Sequence, residues 1–414
     1  MSHEDADAAV VRHSRADGGR VISILTGQFR DFDLAEEVWQ EALVAAVTDW
    51  RANGVPANPT GWLFSTAKRK AIDRMRRAQT ASRPETLAQL AREGETGIAT
   101  DPRIEEHSAI DDDDLRLMLL CCHPALALES QVALTLRTLG GLTTSEIAAG
   151  FLIPESAVAQ RIVRAKRKIR DAGIPLTIPA DVASRVPFVL AVLYLVHNES
   201  YLGHAEGSPV RADLGSEALR LTRRLAVLVP GNAEVEGLLA LQVFTQSRAV
   251  TRADAGGALV LLADQDRTQW DLALVHEGNA ILAEALSRLD PGPYQLQALI
   301  AGYHANARTA EDTPWPDIVA AYAQLIRMTP SRVMRLNHAV AVAMADGPHQ
   351  GLALLEAVDG LDTYHLWHAA RAELLWQAGN ADAALASFER ALELANRPAE
   401  RRHLERRITA VRSR

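Results

Sequence analysis

The sequence predicts an all-α protein of more than one domain, and three observations carry that reading. Ala, Leu, Val, Glu and Arg dominate the 414-residue chain, a composition that favours helix over sheet. Apolar residues recur at helical spacing in one segment after another, and no convincing strand pattern occurs. The segments are punctuated by Pro and Gly turn signals. At this length two or three domains are expected.

From Ala8 to Arg77 the pattern is helical, with turn signals at Gly27–Asp33 and at RANGVPANPT (51–60). Between those breaks lies DFDLAEEVWQEALVAAVTDW (31–50), an acidic amphipathic helix. After them comes GWLFSTAKRKAIDRMRR (61–77), a basic helix led by aromatics. Residues 78–110 are polar and aperiodic, hold Pro84 and Pro102, and run into the acids Asp111–Asp114; residues 78–114 therefore read as a linker. A second helical unit covers 115–172, with Pro175 and Pro179 marking the joint that follows. From Val186 onward helix follows helix, with breaks at Pro230, Gly256, Pro291, Pro314, Pro330, Gly347 and Gly379.

The stretch LTTSEIAAGFLIPESAVAQRIVRAKRKIR (142–170) has the pattern of a helix-turn-helix. Thr144 or Ser145 can cap a helix beginning at Glu146, and Ile147, Ala148 and Phe151 would pack inward. Pro154 ends the turn and suits the start of the next helix. Val158, Ile162, Ala165 and Ile169 then form one apolar stripe. The opposite face offers Ser156, Ala159, Gln160, Arg161, Arg164, Arg167 and Lys168. In such a motif the early second helix meets base edges, so Gln160, Arg161 and Arg164 are candidate base contacts. Lys166, Arg167, Lys168 and Arg170 are candidate phosphate anchors.

Charge restricts where a nucleic acid could bind. The net charge is −8, and residues 1–175 hold 22 Lys+Arg against 25 Asp+Glu. Any such surface must be local. Two clusters qualify: Lys68–Arg77, with six positive residues and one acid, and Arg161–Arg170, with six and none. An acidic helix, a Pro/Asn loop and an aromatic-led basic helix could hold unstacked DNA, with apolar groups pocketing a base and Lys/Arg on the backbone. Trp62 fits two roles, core anchor of the helix start or base-stacking wedge.

Other chemistry finds little footing. Cys121 and Cys122 are the only cysteines and are adjacent, so no disulfide framework is expected, and a cytoplasmic location fits. CCHP (121–124) reads as the entry to the first helix of the second unit rather than a metal site. The tail histidines His197, His204, His276, His304, His338, His365 and His368 lack metal spacing, apart from the last two on one helix face. Asp264, Asp266, Arg267, Trp270 and Asp271 form a polar cluster that reads as an inter-helix network, with a ligand site as the alternative. No nucleophile–base arrangement or phosphate-cradling glycine loop is present, so no catalytic residue, metal or cofactor is expected. Neither is a membrane span.

The tail carries a repeat signal. HAARAELLWQAGNADAALASFERALELA (368–395) sets Ala372, Leu375, Gly379, Ala383, Ala384, Phe388, Ala391 and Leu392 at helix-pair spacing, and residues 335–358 form a weaker copy. This resembles a tetratricopeptide unit, in which small residues let antiparallel helices approach closely.

Together these motifs resemble a known family. DLAEEVWQEA and GWLFSTAKRKAIDRMRR resemble region 2 of bacterial sigma-70-family RNA polymerase initiation factors, and 142–170 is similar to region 4. With only a short linker between them, no region 3 and no acidic N-terminal extension, the plan is that of the extracytoplasmic-function (group 4) factors. The tail suggests the subgroup with a tetratricopeptide-like extension; VLYLVHNESY (192–201) and LLADQDRTQWDLALVHEG (261–278) also look like it. The resemblance implies a sigma region 2 bundle at 8–77, a region 4 helix-turn-helix at 115–172 and a regulatory extension at 186–414. It implies that Asp33, Glu36, Glu37, Gln40 and Glu41 face the clamp of core RNA polymerase, with the flap as a second contact, and that Trp39 is a core or groove residue. Asn53, Val55 and Asn58 would shape the pocket for a flipped −10 base. Trp62, Lys68, Arg69, Lys70, Arg74, Arg76 and Arg77 would line the −10 strand, although Arg69 stands where many relatives have Asn. Ser156, Gln160, Arg161, Arg164, Lys166, Arg167 and Lys168 would read the −35 element. The extension would regulate in cis, with a protein or peptide as a possible ligand. The alternative is an adaptor with a DNA-binding head that never engages polymerase.

Overall fold

The computed structural model describes residues 3–29, 31–80, 115–151, 153–174, 179–203, 209–252, 254, 260–396 and 398–413. The expected linker lies outside the described residues from 81 onward, as do Pro175 and Gly256. Among the described residues the regular elements are helices. The chain forms two compact units, 1–195 and 196–414.

The first unit opens with a three-helix bundle of α1 (His3–Phe29), α2 (Phe32–Asn53) and α3 (Pro59–Thr80). On α2 the residues Ala35, Val38, Trp39, Ala42, Ala46 and Trp50 are buried, the three-and-four spacing of one helix face. They pack with Ile24 and Leu25 of α1 and with Leu63, Phe64, Ala67 and Ala71 of α3, all buried too. Both later helices start on side-chain caps. Asp31 Oδ1 accepts from Leu34 N at 3.0 Å, and Asn58 Oδ1 accepts from Gly61 N at 2.9 Å.

A second bundle holds α4 (115–121), α5 (Leu128–Thr138), α6 (Thr144–Phe151) and α7 (Glu155–Asp171). Two local expectations change here. CCHP is not the entry to a helix: Cys121 ends α4, and the following residues turn the chain towards α5. Nor does Thr144 or Ser145 cap α6. Thr143 does, one residue earlier, because only from there can Glu146 reciprocate. Thr143 N donates to Glu146 Oε2 at 2.7 Å and Glu146 N to Thr143 Oγ1 at 3.1 Å, a closed capping box.

α8 (Val186–Gly203) follows, and the boundary between the two units falls inside it. Its first half belongs to the second bundle, where Leu195 lines a small apolar cavity with Ile147, Phe151 and Val158.

The second unit is a succession of helices: α9 (Pro209–Leu228), α10 (Ala233–Ser247), α11 (Leu272–Ser287), α12 (Pro293–Asn306), α13 (Trp315–Met328), α14 (Arg332–Asp346), α15 (Pro348–Glu356), α16 (His365–Gln377), α17 (Ala381–Leu394) and α18 (Pro398–Arg412). Packing runs mainly between sequence neighbours. The apolar clusters overlap in series: Leu299 borders both the α10–α12 cluster and the α12–α14 cluster, and Leu352 borders the α14–α16 and α16–α18 clusters. That is the nearest-neighbour construction of a helical repeat. Small residues make the close approaches possible. A Cβ on Gly351 would stand 2.3 Å from Ala343 Cβ, so α14 and α15 touch along their backbones.

The candidate polar cluster at 264–271 has structural employment. Arg267 donates to His304 O at 2.7 Å and Ala307 O at 2.8 Å, satisfying carbonyls at the end of α12, and its guanidinium lies over Trp270. Trp270 Nε1 donates to Thr251 Oγ1 at 3.0 Å, and Asp271 caps α11. Burial, with Arg248 and Arg267 beside it, lowers the His304 imidazole to about 4. His365 and His368 do not converge: His365 faces Glu400 at 3.1 Å and His368 meets Asp362 O at 2.8 Å.

Candidate polymerase and nucleic-acid interfaces

The helix-turn-helix is formed by α6 and α7. At roughly 100° per residue, the stripe of Val158, Ile162, Ala165 and Ile169 points at α5 and α6, and all four are buried. The opposite side presents Ser156, Gln160, Arg164, Arg167 and Lys168 to solvent. Arg161 and Lys166 do not share that face. Each is half-buried on a flank, Arg161 beside Glu129 and Val132, and Lys166 against α2. Val163, 63% exposed, stands between Gln160 and Arg167 on the open face. Sequence reasoning passed over it, because valine at i+3 reads as core until the stripe is fixed at 158, 162, 165 and 169.

Geometry ties this surface to its cap. With alanine at position 143 the capping box loses its hydroxyl, and α6 should lose roughly 1 kcal/mol. The expected result is a lower melting temperature for the helix-turn-helix with duplex binding weakened in proportion. An unchanged melting curve would contradict the role given to Thr143.

In the three-helix bundle the acidic and basic candidates are neighbours. Arg74 of α3 is ion-paired with Glu37 of α2 and, at 2.5 Å, with Glu41, which Lys70 also approaches at 3.3 Å. Partial burial would raise the Glu41 carboxyl, but Arg74 and Lys70 outweigh it and hold the group below its ordinary value. Gln40 is exposed beside them, and so is Val44, at 70%. Asp33 and Glu36 turn the other way, towards α7. Of the remaining basic candidates, Lys68 lies over the Phe64 ring at 5.9 Å, Arg69 folds back onto Ser65 O at 3.3 Å, and Arg76 and Arg77 are exposed.

The aromatics and loop residues divide clearly. Trp39 is 2% exposed and Trp50 1%, both core. Trp62 is half-buried and packs edge-on against Trp50 with ring centroids 5.7 Å apart, which favours the anchor role. Asn58 spends its carbonyl oxygen on the α3 cap, and Asn53 Nδ2 donates to Asp49 Oδ1 at 2.9 Å. Val55 is half-buried in the same loop. The thiols are inert in this setting: burial pushes Cys121 well above its ordinary value and Cys122 up to about 12. Among the described residues no group of three His, Cys, Asp or Glu could hold a metal ion.

Comparison with known proteins decides what this arrangement is. Residues 15–81 match the model of sigma-70 region 2, and residues 116–169 match sigma-70 region 4. The chain is a sigma-70-family factor of the extracytoplasmic-function type. Residues 185–286 of this sigma factor match a further family, of unknown function (DUF6596). The sigma factor is 40% identical to an uncharacterized protein of Rhizobium meliloti (strain 1021) over 94% of its own length and 92% of that protein. It is 27% identical to the ECF RNA polymerase sigma factor SigK of Mycobacterium ulcerans (strain Agy99), over 37% of its own length and 79% of SigK. No solved structure matches it.

The family matches set the regions where α1–α3 and α4–α7 stand, so the sigma factor binds core RNA polymerase and promoter DNA, and the polymerase-free adaptor is not favoured. The family is not an enzyme class. Among the described residues no helix is long and apolar enough to cross a membrane.

Proposed function

We propose that this sigma factor works in the cytoplasm, divides its contacts between two surfaces and is regulated in cis by its helical-repeat extension. Asp33, Glu36, Glu37, Gln40 and Glu41 meet the polymerase clamp, an acidic face for a basic partner, and region 4 meets the flap. Asn53, Asn58 and Trp62 border the −10 pocket, while Lys68, Arg69, Lys70, Arg74, Arg76 and Arg77 follow the melted strand. Ser156, Gln160 and Arg164 read −35 base edges. Arg161, Lys166, Arg167 and Lys168 supply positive charge near the phosphates. Val163 adds a methyl surface suited to thymine. The observation that carries this reading is the exposed Gln160–Arg164–Arg167 face of α7 set on a fully apolar stripe. The repeat extension, tethered to the sigma regions through α8, has a high effective concentration over them and a surface type that suits a protein or peptide.

The test is single-round transcription with purified core polymerase on genomic promoters, using the full chain and residues 1–203. The shorter chain ends after α8, because cutting at 187 would strip Leu190 and Leu193, both buried, from the second bundle. Transcripts from the full chain are expected, with output changed in the truncation. Equal output from both forms would remove the cis-regulatory role. Specific DNA binding without transcripts from either would remove the polymerase contacts.

A further inference from the structure

The loop that joins α2 to α3 is tied at both ends to α1, a helix that carries no expected site residue. The loop itself is stiff. Gly54 closes α2 at a φ of 84°, and Pro56 and Pro59 fix φ on either side of Ala57 and Asn58. Asn58 caps α3 through Gly61 N, and a Cβ on Gly61 would stand 2.7 Å from Asn58 Nδ2, so the cap is tight. A stiff loop goes where the helix ends that carry it go, and α1 reaches each of those ends. Thr60, in the first turn of α3, donates its hydroxyl to Asp17 Oδ2 at 2.7 Å, across 43 residues of sequence. His13 lies one turn earlier on α1, with Nδ1 2.7 Å from the same oxygen. A carboxylate can only accept, so Nδ1 carries the hydrogen and His13 orients Asp17 for Thr60. The His13 ring stands edge-on to Trp50, in the last turn of α2, at 88° with centroids 6.2 Å apart. His13, Asp17 and Thr60 are all half-buried, which limits the competition from water.

We propose that His13 and Asp17 are positioning residues for −10 recognition: acting through Thr60 and Trp50, they brace the loop so that the pocket for the flipped base keeps one shape. The inference rests on the assignment of Asn53, Val55 and Asn58 to that pocket. The physical logic is leverage. Thr60 is two residues from Asn58, so slack at its hydroxyl becomes displacement at the pocket. A recognition site needs its groups held to within about 0.5 Å, and a misplacement of about 1 Å can cost on the order of a hundredfold. A brace also differs from ordinary packing in what its loss does. Lost packing lowers stability and weakens every contact alike. A lost brace leaves the fold standing and relaxes discrimination at the one base that the loop encloses.

The test is binding of the full chain, assembled with core polymerase, to single-stranded oligonucleotides of the −10 element from a promoter it transcribes. Each position of the element carries each of the four bases in turn. T60V keeps the shape of Thr60 and removes the hydroxyl, whereas T60S keeps the hydroxyl. H13F keeps a ring against Trp50 and loses the bond to Asp17. V55A alters the loop directly. T60S should discriminate as the unaltered chain does. T60V should lose roughly fivefold or more of the discrimination at the position that V55A also relaxes, and hold the others. H13F should lose less, at the same position. Thermal unfolding is read beside each variant, and H13F carries the test if T60V melts early. Unchanged discrimination in T60V and H13F, or equal weakening at every position, overturns the brace while V55A still marks the pocket. If V55A relaxes no position, the assignment of the loop to the flipped base fails, and the brace with it.

Discussion

Replacing Trp50 with alanine should abolish promoter-directed transcription by unfolding region 2. The indole is 1% exposed and sits where α1, α2 and α3 converge. It packs edge-on to Trp62 at 5.7 Å and to His13 at 6.2 Å between centroids. Truncating a buried tryptophan costs about 3–5 kcal/mol, transfer and cavity terms together. That is a large share of the roughly 5–15 kcal/mol that holds a domain folded. Thermal unfolding and limited proteolysis should show the N-terminal bundle lost. W62F should be far milder, because it keeps an aromatic edge against Trp50 at a half-buried position. A Trp50→Ala protein with an unchanged unfolding profile would refute this account of the core.

Arg164→Ala has the second largest expected effect, and it falls on recognition rather than folding. The side chain is exposed on α7, on the face opposite the buried stripe, so its removal leaves the core intact. A lost bidentate base contact costs about 1–3 kcal/mol, or roughly five- to 150-fold in affinity. Discrimination should relax at one position of the −35 element and hold elsewhere. Arg167→Ala supplies the contrast. As a phosphate contact it should weaken all sequences alike and reduce the salt slope by about one. Affinities for a panel of single-substituted duplexes at several salt concentrations decide both. If Arg164→Ala weakens every duplex equally, the assignment of base reading to that residue fails.

Much of this was legible in the residues. The buried stripe of α7, the three-helix order of region 2 and the small-residue packing of the tail repeats all follow from periodicity, which local sequence carries. The capping box lies one residue ahead of the expected cap, at the T-x-x-E of 143–146; two adjacent threonines offer two registers, and only the reciprocal bond chooses between them. CCHP closes its helix where the sequence suggests an entry, because a thiol pair has no directional signal.

Ion-pair partners were not legible. By itself the sequence determined the helices, their apolar faces and the two basic clusters, since these depend on spacing within about ten residues. The tertiary structure alone decided that Glu37 and Glu41 answer Arg74, that Lys166 pairs with Glu36, and that Gly19 meets Leu139. The reason is physical. Burial is set by a helix's own pattern, whereas a charge reaches whichever opposite charge the packing of other helices brings within a few ångströms, and that distance is written in no single segment.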